Sequence, residues 1–163
     1  PFVYESLKTY HLPGLKILRW QKKENHFTFI HPKEYPSLSL ATTGTHDTSS
    51  LASWWNAISQ EERVCFLATF DMEKTLPEDA GTFGFSDAIH QVVLRGVMET
   101  ESDMVIVPFP DILGEDNQIN FPGTVSDKNW QYRMPENIES LSNNPLYKTK
   151  IDFMKMVIEK NGR

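Results

Sequence analysis

The chain of 163 residues is 39% hydrophobic and 23% charged, an ordinary globular composition that is long enough to bury one core. Its net charge of −6, with no basic run denser than Lys22-Lys23 followed by Glu24, excludes the clustered cations that a nucleic-acid partner needs. The single cysteine, Cys65, makes neither an internal disulfide nor a CxxC metal clip, so a cytoplasmic setting is expected, and no apolar run approaches the roughly 20 residues of a membrane span.

The chain opens at Pro1 without an initiator Met or a signal sequence, and is expected to be a piece of a longer protein that folds as one domain over residues 1–163. Residues Pro1 to Tyr10 predict a helix, with Val3, Leu7 and Tyr10 repeating at i, i+4 and i+7 and Leu12-Pro13-Gly14 stopping it. Leu15 to Trp20 alternates with period two and predicts a strand. Phe27 to Ile30 predicts a second short strand or a loop edge, and Leu38 to Thr42 the next strand. Thr48-Ser49-Ser50 offers N-caps to a helix carrying Leu51, Trp54, Trp55 and Ile58, and Glu61 to Phe70 continues as helix.

From Asp71 to Gly84 the residues are Pro, Gly and acidic, which predicts a loop; Ser86 or Asp87 then caps a helix with Ile89, Val92, Val93, Gly96 and Val97 inward. Met104 to Val107 is a continuous apolar run, as expected of a strand covered on both faces in a parallel sheet. Pro110 to Ser142 is too long and too polar for a plain connector, and Asn144-Pro145 opens a last helix with Tyr147, Ile151, Met154 and Ile158 along one stripe. The order of elements predicts an α/β arrangement with parallel strands and right-handed crossovers. Three strands cannot close a barrel, which takes eight, so the chain would be part of one.

The chemistry concentrates in Ala41-Thr42-Thr43-Gly44-Thr45-His46-Asp47, where a strand-like run ends in a turn that presents an imidazole beside a carboxylate. The C-terminal end of a strand is where α/β barrels keep their reacting groups. Asp47 alone is equally readable as the cap of the following helix, and His46 as a histidine satisfied by backbone contacts. No second His or carboxylate stands at ligand spacing, so no metal is expected.

Four further groups of residues extend this turn into a pattern. Leu12-Pro13-Gly14-Leu15-Lys16-Ile17-Leu18, Thr43-Gly44-Thr45-His46-Asp47, Pro108-x-x-Asp111-Ile112-Leu113-Gly114, Asn120-x-Pro122-Gly123-Thr124 and Asn129-Trp130-x-Tyr132-Arg133 occur in one order. In order and approximate spacing they resemble the C-terminal third of the amylomaltases, the 4-alpha-glucanotransferases of glycoside hydrolase family 77. The resemblance runs from Pro1 to about Pro135.

It implies the C-terminal part, strands six to eight, of a (β/α)8 TIM barrel that cuts an α-1,4-glucan or maltooligosaccharide, holds the fragment covalently and passes it to a glucan or glucose. Such retaining chemistry uses two carboxylates about 5 Å apart. The resemblance places both before Pro1, so the chain alone is expected to be inactive. Asp47 then resembles a third essential carboxylate, which stabilises the transition state through sugar hydroxyls, with His46 donating to the same sugar. Asp111 and Asn120 resemble residues that line sugar subsites, with hydrogen bonding inside the loop as the alternative.

Trp54 and Trp55 offer aromatic faces to a glucan, and Trp54 is the substrate-binding candidate; helical spacing with Leu51 and Ile58 argues that at least one of the two is core. Asn129, Trp130 and Arg133 are expected to support the loop. Cys65 is expected to be a small buried apolar residue. No cofactor, nucleic acid or membrane is implied, and open barrel edges are expected to make the fragment self-associate. The rival readings are a non-catalytic carbohydrate-binding or interaction module derived from the barrel, and a metal-dependent phosphohydrolase centred on His46-Asp47.

Overall fold

The computed structural model describes residues 2–23, 28–70, 79–134, 136–141 and 143–163. Strands β1 (Gly14–Ile17), β2 (Ser39–Thr42) and β3 (Met104–Val105) form one parallel sheet in the order β1-β2-β3. Gly14 pairs with Ser39 through to Ile17 with Thr42, while Leu40 pairs with Met104 and Ala41 with Val105. All strands therefore point the same way, and their C-terminal ends gather at one edge. Around the sheet run helices α1 (Phe2–Thr9), α2 (Leu51–Ala57), α3 (Gln60–Leu67), α4 (Asp87–Met98), α5 (Phe109–Leu113), α6 (Ile138–Leu141) and α7 (Pro145–Lys160).

The helix starts follow local chemistry. Ser50 caps α2 by accepting from the Ser53 N–H, Ser59 caps α3 from Glu62, Ser86 caps α4 from Ile89, and Asn144 caps α7 from Leu146 with Pro145 in the first turn. The core lies between the sheet and α2, α3, α4 and α7, where Trp55, Phe66, Val93, Val97 and Val157 are buried. Aromatic rings meet edge to face there: Phe66 lies 4.9 Å from Trp54 and 5.1 Å from Phe70. Gly96 is the small residue this packing demands, because a Cβ on it would collide with the Phe70 ring.

Several boundaries differ from the sequence pattern. The first strand stops at Ile17, and Leu18–Trp20 coils into a 3-10 turn that swings Arg19 into the interior. The third strand has two residues, although the Ile106 N–H still reaches the Ala41 carbonyl at 3.0 Å. Pro108 lacks an N–H to continue the ladder, and Phe109 to Leu113 forms α5 where strand end and loop were expected. The helix expected from Glu61 to Phe70 closes at Leu67. In α1 no residue is buried.

Of the expected strand at Phe27 to Ile30, Phe27 lies outside the described residues and Phe29 forms a single antiparallel bridge with Lys22. The expected loop from Asp71 lies outside the described residues over positions 71–78. Among the described residues, no helix is long and apolar enough to cross a membrane.

Candidate active site

Past Thr42 the chain leaves β2 and makes a turn braced by its own hydroxyls. The Thr45 N–H donates to Thr48 Oγ1 at 2.9 Å, that hydroxyl donates back to the Thr45 carbonyl at 3.0 Å, and the Asp47 N–H meets Thr45 Oγ1 at 3.2 Å. At its crest stand His46 and Asp47, whose side chains are 53% and 46% exposed. His46 Nε2 lies 3.3 Å from Asp47 Oδ1.

A second segment, from beyond β3, folds back over this crest. Asn120 donates from Nδ2 to Asp47 Oδ1 at 2.6 Å and from its backbone N–H to the His46 carbonyl at 3.0 Å. The Trp130 indole lies against the His46 ring, centroids 5.0 Å apart with a 36° tilt. Trp130 holds the left-handed conformation at φ +63°, which disfavours a residue bearing a Cβ, and its N–H donates to the Ile119 carbonyl at 2.8 Å. Asn129 ties the same segment by accepting from the Phe121 N–H and donating to Thr124.

Beneath the crest lies a charged layer. Arg19 donates from Nε to the Thr43 carbonyl at 3.2 Å and from Nη1 to the Ser49 carbonyl and hydroxyl at 3.0 and 3.1 Å. Asp111 accepts from the Thr43 hydroxyl at 2.5 Å and from the Leu51 N–H at 2.7 Å. His90 Nε2 meets the Asp111 carbonyl at 2.7 Å. Burial lowers the Arg19 guanidinium to about 10, still charged at neutral pH, while the Asp111 charge draws it upward. Burial raises the Asp111 carboxyl against the opposing pull of its two hydrogen bonds and Arg19, and lowers His90.

The structure thus brings together His46, Asp47 and Asn120, and places Asp111 in the layer beneath them and Trp54 in the aromatic packing around Phe66. Asp111, expected to line a sugar subsite, is 2% exposed, and both of its carboxylate oxygens are taken by protein donors. Trp54, the substrate-stacking candidate, packs on Phe66 and carries the Arg19 guanidinium over its ring at 5.1 Å, while Trp55 is fully buried. The aromatic ring beside His46 is that of Trp130, read from sequence only as loop support. Its place in Asn129-Trp130-x-Tyr132-Arg133 was its signal, as Thr43 had its place at the head of Thr43-Gly44-Thr45-His46-Asp47; Arg19 carried none. Among the described residues, no group of three or more His, Cys, Asp or Glu is placed to hold a metal.

Chemically, the crest offers an acceptor carboxylate flanked by an imidazole, a carboxamide and an indole face. That set suits the vicinal hydroxyls and C–H face of a sugar ring.

Comparison with known proteins gives a family. Residues 1–139 match the model of glycoside hydrolase family 77, 4-alpha-glucanotransferase. The chain is 30% identical over 151 residues to a 4-alpha-glucanotransferase of Chlamydia trachomatis, covering 86% of this chain and 27% of that protein. It is likewise 30% identical over 127 residues to one of Streptococcus pneumoniae, covering 76% of this chain and 23% of that relative. The fold superposes on an amylomaltase from Streptococcus agalactiae in complex with acarbose with a TM-score of 0.74 at 24% identity, over 99% of this chain and 30% of that one. The chain therefore spans about a quarter to a third of the proteins it matches.

Proposed function

The chain belongs to glycoside hydrolase family 77, the 4-alpha-glucanotransferases, and from that membership we propose that it is the C-terminal part of such an enzyme's barrel. In this reading β1, β2 and β3 are strands six, seven and eight, and the crest at the end of β2 lies on the face where barrels build their pockets. The parent transfers α-1,4-glucan segments to a glucan or glucose acceptor, with retention, in the cytoplasm and without a cofactor. Its nucleophile and its general acid/base belong to the part of the barrel outside these residues, so the chain alone is inactive.

The observation that carries the reading is the seating of Asp47 at the strand end, its Oδ1 met by Asn120 and His46. Such a carboxylate accepts bonds from the hydroxyls of the sugar being transferred. Those bonds tighten as the ring flattens toward the oxocarbenium-like transition state, which favours that state over the bound substrate. His46 donates to the same sugar, Asn120 holds the carboxylate in aim, and Trp130 covers the ring's apolar face.

Maltotriose disproportionation by the full-length parent tests this. Asp47→Asn keeps the shape and loses the charge-assisted acceptor, and is expected to lower kcat by about two powers of ten or more, or about 3 kcal/mol of transition-state stabilisation. Turnover at the wild-type rate would refute the role of Asp47.

A further inference from the structure

Resting on that reading of the crest, we propose that Arg19, Thr43 and Asp111 are positioning residues: a buried, charged brace that sets where His46 and Asp47 stand. None of the three reaches the sugar, since they are 5%, 1% and 2% exposed. Arg19 and Asp111 both hold the start of the segment that carries the crest, at Thr43, and each holds a different residue toward its end. At its start, Thr43 offers its carbonyl to Arg19 and donates its hydroxyl to Asp111. Toward its end, Arg19 holds Ser49 through Nη1, and Asp111 holds the Leu51 N–H that opens α2. His46 and Asp47 lie between those anchor points, so a shift of either anchor is passed to both side chains.

The brace is expensive for what it contributes to stability alone. Two opposite charges are withdrawn from water, and Arg19 Nη2 is buried without a hydrogen-bond partner among the described residues. An apolar filling would hold the same volume with no desolvation of ions. What charges add is direction, because a guanidinium and a carboxylate fix the angles of the groups they bind. Asp111 is itself held from below, with His90 on its own carbonyl and Lys150 Nζ on the Leu113 carbonyl at 2.6 Å at the end of α5. The crest is thus referred through Asp111 to the α4 and α7 scaffold, and through Arg19 to the end of β1.

Thr43 is the residue on which to test it, because its hydroxyl alone can be removed without changing shape. The full-length parent is made with Thr43→Val and with Thr43→Ser, and is followed by maltotriose kinetics and by hydrogen exchange read peptide by peptide. Thr43→Val is expected to lower kcat about tenfold or more while KM moves by about threefold at most, as displaced catalytic groups do. Exchange is expected to rise over residues 43–51 and to stay unchanged in α4 and α7. Thr43→Ser restores the donor and is expected to restore both. Wild-type kcat and unchanged exchange in Thr43→Val would overturn the proposal. So would a uniform rise in exchange with no rescue by serine, which marks a merely structural residue. Should the wild-type parent not transfer maltotriose at all, the proposed activity fails while the exchange measurement still decides the brace.

Discussion

Asn120 and Asp47 are joined at 2.6 Å across 73 residues of chain, with the carboxamide donating to the same oxygen that faces His46 Nε2. Removing the donor in Asn120→Ala is expected to lower kcat/KM of the parent about tenfold, about 1.4 kcal/mol. Asn120→Asp should do more harm. It replaces the donor with a second carboxylate against the Asp47 oxygen, so attraction becomes repulsion. Wild-type kcat/KM in both variants would show the contact to be incidental.

Gly44 is required by close approach and not by backbone angle. A Cβ there would stand 2.6 Å from Thr48 Oγ1, 3.3 Å from Arg19 Nη2 and 3.7 Å from Asp111 Oδ2. Thr48 cannot yield without breaking its two bonds to Thr45. Gly44→Ala is therefore expected to destabilise the parent by about 1–3 kcal/mol and to depress transfer more than the stability loss explains. Gly44→Ala with Thr48→Ala should recover part of the loss in thermal unfolding, because the nearest obstacle is gone.

His90 makes stability depend on pH. Burial, with Lys150 adding to it, lowers its pKa below the ordinary 6.5, while its bond to the Asp111 carbonyl and the Asp87 and Asp111 charges oppose. The unfolded chain then takes up the proton first, so this contribution is complete above the ordinary value and is lost as pH falls through it. The midpoint of thermal unfolding should drop between about pH 7.5 and pH 5.5, and His90→Gln, which keeps a donor and does not titrate, should flatten that drop. Parallel curves for the two proteins would assign the acid sensitivity elsewhere.

The chain by itself should associate. Leu15, Leu40 and Met104 are register neighbours and share one face of the sheet, whereas Ala41 and Val105, one residue along, turn to the helices. On the first face Leu15 and Met104 are exposed, as is Ile106 just beyond. Covering such apolar area is worth roughly 25 cal/mol per Å². Two copies that cover each other's open face would give a dimer or larger species by light scattering. A strict monomer at high concentration would mean that the exposed face tolerates water.

What could be read from sequence was whatever depends on near neighbours. Ser50, Ser86 and Asn144 cap their helices because the N–H they accept from lies two or three residues on. Strand lengths were overread, since alternation persists through Trp20 while pairing ends where β2 ends, at Thr42 opposite Ile17. The bond from the Thr43 hydroxyl to the Asp111 carboxylate had no mark in the sequence, because the two residues stand 68 positions apart. Trp54 and Trp130 looked like stacking face and support; which indole meets Arg19 and which meets His46 is decided by tertiary packing that no spacing encodes.

The fold-back of Asn120 and Trp130 onto the crest also orders events in time. Closing a 73-residue loop carries an entropic cost that a pair of hydrogen bonds and one ring contact do not offset unaided. The sheet and α5 must already be docked, so that the remaining gap is short. The crest is then expected to be covered after the barrier to folding, so that substitutions at Asn120 or Trp130 change the unfolding rate while leaving the folding rate where it was.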